Sequence, residues 1–265
     1  NTSYCEGDGS SCKRKGVGQI VSQARITFVQ AVRSTDANWY PTLSFGYLKS
    51  YMAQRLGDQT HIRRAVDIND IKDSDILAIS STSQDYGMAQ RVALAAKKNN
   101  PNVITVLGGH HVSYLPGSMS EQFDVGVMGE GEETFSVLVK AMLTGSDIGQ
   151  IPGLAFHHEG RVVITPPRKN IEPIDSIPMP FRDYYKNVYL MSSRGCPYKC
   201  AFCTSQAFWG KTRFFSAPYV VAEIEHIVSN MGPDPAINIY DDLFVADRKR
   251  FDEIIRLLED KDITN

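Results

Sequence analysis

Apolar residues recur in two rhythms along this chain. Short, nearly continuous runs at 26–32 (ITFVQAV), 75–80 (DILAIS), 103–107 (VITVL) and 123–128 (FDVGVM) have the pattern of strands covered on both faces. Between the first two, Leu43, Tyr47, Leu48, Tyr51, Met52 and Leu56 recur at helical spacing, and Gly57 supplies a stop. Further helices are predicted over 87–98, broken by Asn99-Asn100-Pro101, and after Gly129-Glu130-Gly131-Glu132; a weaker strand is expected near 61–66. Strands alternating with helices predict a doubly wound parallel α/β sheet over residues 24–150. Residues 1–23, rich in Gly and Ser at the start, are expected to be a tail.

The rhythm then changes. Residues 154–158 and 161–164 read as a β-hairpin turning at Glu159-Gly160. Pro166, Pro167, Pro173, Pro178 and Pro180 cannot continue a regular ladder, so 151–187 is read as hairpin plus semi-rigid linker, with the boundary between Pro166 and Pro180. Strands at 188–192 and 237–240 alternate with helices at 217–231 and 248–258, giving a second α/β segment over 188–265. A complete (β/α)8 barrel takes about 250 residues, so this segment predicts only the beginning of one, either a piece of a longer protein or a truncated barrel.

Composition narrows the function classes. The 265 residues are 42% apolar and 22% charged, with a formal net charge of -2, which disfavours nucleic acid as a partner on charge grounds. No apolar run approaches the roughly 18 residues that cross a bilayer, and the first residues lack the regions of a signal peptide, so a cytoplasmic protein without a membrane span is expected.

Three of the five cysteines fall together, as Cys196-Pro197-Tyr198-Lys199-Cys200-Ala201-Phe202-Cys203. That C-x3-C-x2-C spacing lets thiolates converge on one soft metal centre. Zinc sites usually draw two ligand pairs, and no second pair follows; three thiolates suit a four-iron cluster with one open iron, with zinc or incidental buried thiols as the other readings. Cys5 and Cys12 are read as two thiols in the tail. In the first segment, Ser80-Ser81-Thr82-Ser83, Gly108-Gly109-His110-His111 and Gly129-Glu130-Gly131 all follow strands. Ligands of doubly wound sheets bind at that edge, where glycine admits close approach and hydroxyls hydrogen-bond; simple turn chemistry is the alternative for each segment. No G-x-G-x-x-G follows the first strand, which excludes a nicotinamide site of that type.

In this order, Val106-Leu107-Gly108-Gly109-His110-His111, Gly129-Glu130-Gly131-Glu132-Glu133-Thr134, the Pro-punctuated 174–181, the cysteine motif opened by Ser193-Arg194-Gly195, Glu223-Ile224-Glu225 and Tyr240-Asp241-Asp242-Leu243-Phe244 resemble the cobalamin-binding radical S-adenosylmethionine (SAM) enzymes. The likeness covers roughly residues 24–260. It implies cobalamin across the carboxyl edge of the first sheet, met by Ser80, Ser81, Thr82, Ser83, Gly108, Gly109, His110, Gly129, Glu130 and Gly131. It also implies a [4Fe-4S] cluster on Cys196, Cys200 and Cys203, with SAM on the fourth iron. Phe202 would lie against the adenine, and Tyr240, Asp241 and Asp242 would meet the SAM amino group; the alternative for the aspartates is a helix cap. Arg194 would offset cluster charge or pair on the surface. The loop 33–41 lacks the cobalt-ligating histidine of many cobalamin domains, so Trp39 or Tyr40 would either face the corrin or simply pack.

The implied reaction is methyl transfer to an unactivated carbon of a small molecule through a 5'-deoxyadenosyl radical, with an external electron donor of flavodoxin or ferredoxin type. Ring closure or rearrangement, as in a magnesium-porphyrin cyclase, and a non-catalytic cobalamin module are the competing expectations. A tRNA methylthiotransferase would carry three more cysteines in its first domain, and 24–187 contains none.

Overall fold

A computed structural model describes residues 23–31, 43–65, 68–182, 187–230 and 236–263. Cys5, Cys12, Trp39 and Tyr40 lie outside the described residues. The chain divides into two compact units between Lys169 and Asn170.

In the first unit the chain runs β1 (Ala24–Gln30), α1 (Leu43–Leu56), β2 (Thr60–Arg64), β3 (Ile76–Ser80), α2 (Tyr86–Asn99), β4 (Ile104–Gly108), α3 (His110–Tyr114), β5 (Val125–Val127), α4 (Gly131–Thr144), β6 (Leu154–His158) and β7 (Arg161–Ile164). One seven-stranded sheet collects them in the order β2-β1-β3-β4-β5-β6-β7. The first five strands are parallel, with Ser80 beside Gly108 at their carboxyl ends. The last two are antiparallel. The hairpin turns where the sequence placed it, but it extends the sheet: Val125, Gly126 and Val127 pair with Phe156, Ala155 and Leu154. Its apolar residues Leu154, Ala155 and Phe156 are fully buried, which explains why it docks on β5 and does not stand apart in the linker.

Both faces of this sheet are covered. On one, Phe28 of β1 meets Phe45 of α1 and Phe135 of α4 edge-on, at ring-centroid distances of 5.2 and 5.6 Å. On the other, Leu77, Ile79 and Leu107 pack with Ala89, Ala93 and Ala96, whose small side chains let α2 approach closely. Strands buried on two sides carry nearly continuous apolar runs, which is why β3, β4 and β5 were visible in the sequence. Tyr51 of α1 donates to the Glu133 carboxylate of α4, and the Arg55 guanidinium donates to the Tyr51 oxygen over 3.0 Å.

The second unit contains β8 (Asn187–Leu190), β9 (Ser193–Arg194), α5 (Ser205–Trp209), β10 (Arg213–Phe214), α6 (Ala217–Asn230), β11 (Ala236–Ile239) and α7 (Arg248–Asp260). β8 and β11 pair in parallel, and β9 and β10 pair antiparallel. The sequence predicted one strand over 188–192. The chain instead leaves β8 after Leu190, because the Ser192 and Ser193 backbone amides donate to the Asp241 carboxylate (2.6 and 3.2 Å). No helix among the described residues is long and apolar enough to cross a membrane.

Candidate functional site

In parallel order 2-1-3-4-5 the strand sequence reverses between β1 and β3, and that crevice at the carboxyl edge is where doubly wound sheets bind ligands. Three of the segments singled out from sequence lie along this edge. The Ser81 amide donates to the Gly108 carbonyl (3.1 Å), and the His111 amide donates to the Ser81 carbonyl (3.2 Å), so the β3 and β4 ends form one piece. Ser113 extends it: its hydroxyl donates to the Gly109 carbonyl (2.8 Å) and accepts from the Gly129 amide (2.9 Å). Gly109 has φ +91°, and a Cβ there would sit 2.7 Å from the Ser81 carbonyl oxygen, so only glycine fits. At Gly108 and Gly129, by contrast, a Cβ would meet nothing within 4 Å. Bare backbone is thus presented outward at two strand ends, with the exposed Thr82 and Ser83 hydroxyls beside it.

His110 and His111 have opposite fates. His110 is exposed and its ring lies 6.2 Å from Tyr114. His111 is buried; its Nδ1 and Nε2 lie 3.0 and 3.1 Å from the Ser83 and Ser118 hydroxyls, and its ring stacks on Tyr86 at 3.7 Å. Burial pushes the imidazole below its ordinary range. Below about pH 6.5 the unfolded chain therefore binds a proton that the folded chain resists, and stability present at neutral pH is lost on acidification. Urea midpoints of the first unit should fall between about pH 7.5 and 5.5, and His111→Gln should flatten that fall.

In the second unit the cysteine loop, residues 195–212, springs from the β9–β10 ribbon, in which Arg194 faces Arg213 and Ser193 faces Phe214. Gly195 (φ +89°) turns the chain out of β9, and a Cβ there would crowd Trp209 at 3.1 Å. Cys200 and Cys203 are exposed and Cys196 is half-buried; all three are free thiols. The Cys203 amide donates to the Cys200 carbonyl (3.0 Å), and the Ser205 amide to the Cys203 sulfur (3.5 Å). No group of three His, Cys, Asp or Glu side chains among the described residues is arranged to hold a metal ion. The donor chemistry nevertheless fits a soft metal: three unpaired thiols on one loop, reachable from solvent.

The residues named beside the loop fall as follows. Phe202 is 91% exposed, free to cover a ligand. Tyr240 is exposed, its ring 4.5 Å from Tyr189. Asp241 accepts from four donors, the amides and hydroxyls of Ser192 and Ser193. Asp242 is exposed and accepts from the Ser205 hydroxyl. Neither aspartate caps α7; Asp247 does, accepting from the Arg250 amide (3.1 Å). Arg194 is buried and lies over the Trp209 ring at 5.4 Å, so the surface-pair alternative is corrected. Sequence reasoning gave no role to Ser192, Ser193 or Arg250. An arginine four residues before Ile254, on the apolar stripe of α7, was the available signal.

A family model described as the B12 binding domain matches residues 31–139. An uncharacterized methyltransferase of Pyrococcus horikoshii is 36% identical over 192 residues, 67% of this chain and 42% of that protein. An anaerobic magnesium-protoporphyrin IX monomethyl ester cyclase of Cereibacter sphaeroides is 30% identical over 243 residues, 82% of this chain and 39% of its own length. Among solved structures, the radical S-adenosylmethionine methyltransferase TsrM from Kitasatospora setae, with cobalamin and a [4Fe-4S] cluster bound, superimposes with a TM-score of 0.73 at 16% identity, over 90% of this chain and 51% of TsrM. The chain thus spans about half or less of the length of these proteins.

Proposed function

Because the chain belongs to the cobalamin-binding radical SAM enzymes, we propose that it is the cofactor-bearing part of an enzyme that transfers a methyl group to an unactivated carbon of a small molecule. The observation that carries this reading is the joint presence of a bare-backbone carboxyl edge at Gly108 and Gly129 and a loop of three free thiols, each built on its own α/β unit. When bound, a four-iron cluster supplies the electron that splits SAM into methionine and a 5'-deoxyadenosyl radical, and cobalamin supplies the methyl carrier.

The chain's own residues have separable tasks in this reading. Cys196, Cys200 and Cys203 would hold the cluster as thiolates, three protein ligands leaving room for SAM to bind beside them. Asp242, exposed and accepting from the Ser205 hydroxyl, would accept from the SAM ammonium, and the exposed Phe202 and Tyr240 would exclude water from the adenosyl side. In the first unit, Gly108 and Gly129 would let the corrin approach the backbone, and Ser80, Ser81, Thr82, Ser83, His110, Glu130 and Gly131 would line the path of the tail. Electrons come from an external flavodoxin- or ferredoxin-type donor. A loop of three free thiols supports a reducing compartment, the cytoplasm, as the location in this reading.

Anaerobic reconstitution should give a brown protein with a shoulder near about 400 nm that Cys200→Ala abolishes. Stoichiometric zinc without iron uptake would overturn the cluster. Hydroxocobalamin should bind saturably, and Gly108→Val should weaken it at least about tenfold while leaving thermal unfolding unchanged, since that Cβ meets no protein atom. The likeness to the cyclase keeps one alternative open, ring closure on a porphyrin. Label from methyl-labelled SAM appearing in product separates methyl transfer from cyclisation.

A further inference from the structure

Two aspartates follow β11, and the chain treats them differently. Asp242 is exposed. Asp241 has both oxygens engaged: Oδ1 accepts from the Ser192 and Ser193 amides, and Oδ2 accepts from their hydroxyls at 2.6 and 2.7 Å. Behind Ser192 stands Arg250, with 6% of its surface exposed. Its guanidinium donates to the Ser192 carbonyl (3.0 Å) and hydroxyl oxygen (3.1 and 3.2 Å), to the Phe215 carbonyl and to the Phe244 carbonyl (3.3 Å each). Phe214 and Phe244 rings flank it at 4.9 and 5.9 Å. Ser192 is the bridge: its hydroxyl gives its proton to Asp241 and accepts from Arg250.

Burying an arginine is costly unless hydrogen bonds satisfy it, and the usual return is a fixed local geometry. Here the fixed segment is Ser192–Ser193, and within three residues of it the chain reaches Gly195 and Cys196. Ser193 is also half of β9, the base of the cysteine loop. Metal ligands act only when held within about half an ångström, and the groups that hold them usually stand one layer behind.

We propose that Asp241, bridged through Ser192 to Arg250, is a positioning group that sets the base of the cysteine loop, and that it makes no contact with SAM. This rests on reading the three thiols as the cluster ligands. It divides labour between neighbours: Asp241 faces the stem of the loop, and Asp242 faces the cofactor. A carboxylate with four donors has little capacity left for an ammonium group, whereas Asp242 retains most of its own.

The test uses the whole chain, reconstituted anaerobically with iron and sulfide, as wild type, Asp241→Asn, Ser193→Ala and Asp242→Asn. Iron per chain, the low-temperature paramagnetic resonance spectrum of the reduced cluster without and with SAM, and thermal unfolding of the apo-protein are recorded for each. Asp241→Asn should weaken cluster retention about 10–100-fold and alter the SAM-free spectrum, with Ser193→Ala intermediate and cooperative unfolding preserved in both. Asp242→Asn should keep the SAM-free spectrum and lose its change on SAM addition. The proposal is overturned if Asp241→Asn has full iron and a wild-type SAM-free spectrum, and equally if both Asp241→Asn and Ser193→Ala lose iron only along with cooperative unfolding. A wild-type chain that takes up no iron instead sinks the cluster reading on which the proposal rests.

Discussion

Glu223→Ala should lower the unfolding free energy of the second unit by about 3–5 kcal/mol, the cost of stranding a buried guanidinium without its carboxylate. The Glu223 side chain is 0% exposed and that of its partner Arg182 is 6% exposed. Arg182 also donates to the Tyr189 carbonyl (3.0 Å) and the Pro180 carbonyl (3.3 Å), so one cation joins the end of the proline strap, β8 and α6. Burial pushes the Glu223 carboxyl up, and Arg182 pulls it part of the way back. Among the described residues, removing the carboxylate leaves the Pro180 and Tyr189 carbonyls to offset the desolvation cost of Arg182. If the effect is stranded charge, Arg182→Met combined with Glu223→Leu should recover most of the loss. Urea unfolding in a Trp39→Phe background, where Trp209 alone reports, checks this. A double variant no better than the single would show that the pair itself, and not its isolation, carries the stability.

Gly109→Val should abolish cobalamin binding and destabilise the first unit together. A side chain at φ +91° costs about 1–3 kcal/mol in backbone strain alone. Its Cβ would also stand 2.7 Å from the Ser81 carbonyl oxygen and 3.0 Å from the Ser80 hydroxyl. Relief requires moving Ser81, and that breaks the hydrogen bonds tying it to Gly108 and His111. The neighbouring Gly108→Val carries neither penalty. Thermal unfolding with hydroxocobalamin titration on the two variants therefore separates two uses of adjacent glycines, one for backbone closure and one for ligand approach. Equal stability in both variants would refute the distinction.

What was readable beforehand follows the physics of each element. β3, β4 and α1 were legible because burial on two faces, or on one helical stripe, leaves a pattern in consecutive residues. The cysteine triplet was legible because its chemistry is local. The β9–β10 ribbon was not, since two-residue strands leave no periodicity and Ser193 and Phe214 meet only across a loop. The hairpin of β6 and β7 was visible as a hairpin, yet its membership of the sheet depends on Phe156 finding Val125, a pairing between distant residues. The two roles offered for Asp241 and Asp242 were contact with SAM or a helix cap. Neither included the serine clamp, because hydrogen bonds between residues 192 and 241 have no signature in either stretch alone.

The seven-stranded sheet also has two rims, β2 and β7, and each resists recruitment of another chain. β2 is five residues long, and three of them are His61, Arg63 and Arg64. An incoming copy would bring like charges face to face. β7 opens on Arg161 and runs within three residues of its end into Pro166 and Pro167, which have no amide proton to offer a template. A seven-stranded α/β sheet is thereby kept from polymerising by its outermost residues, so concentrated preparations should fail by unfolding before they fail by fibril growth.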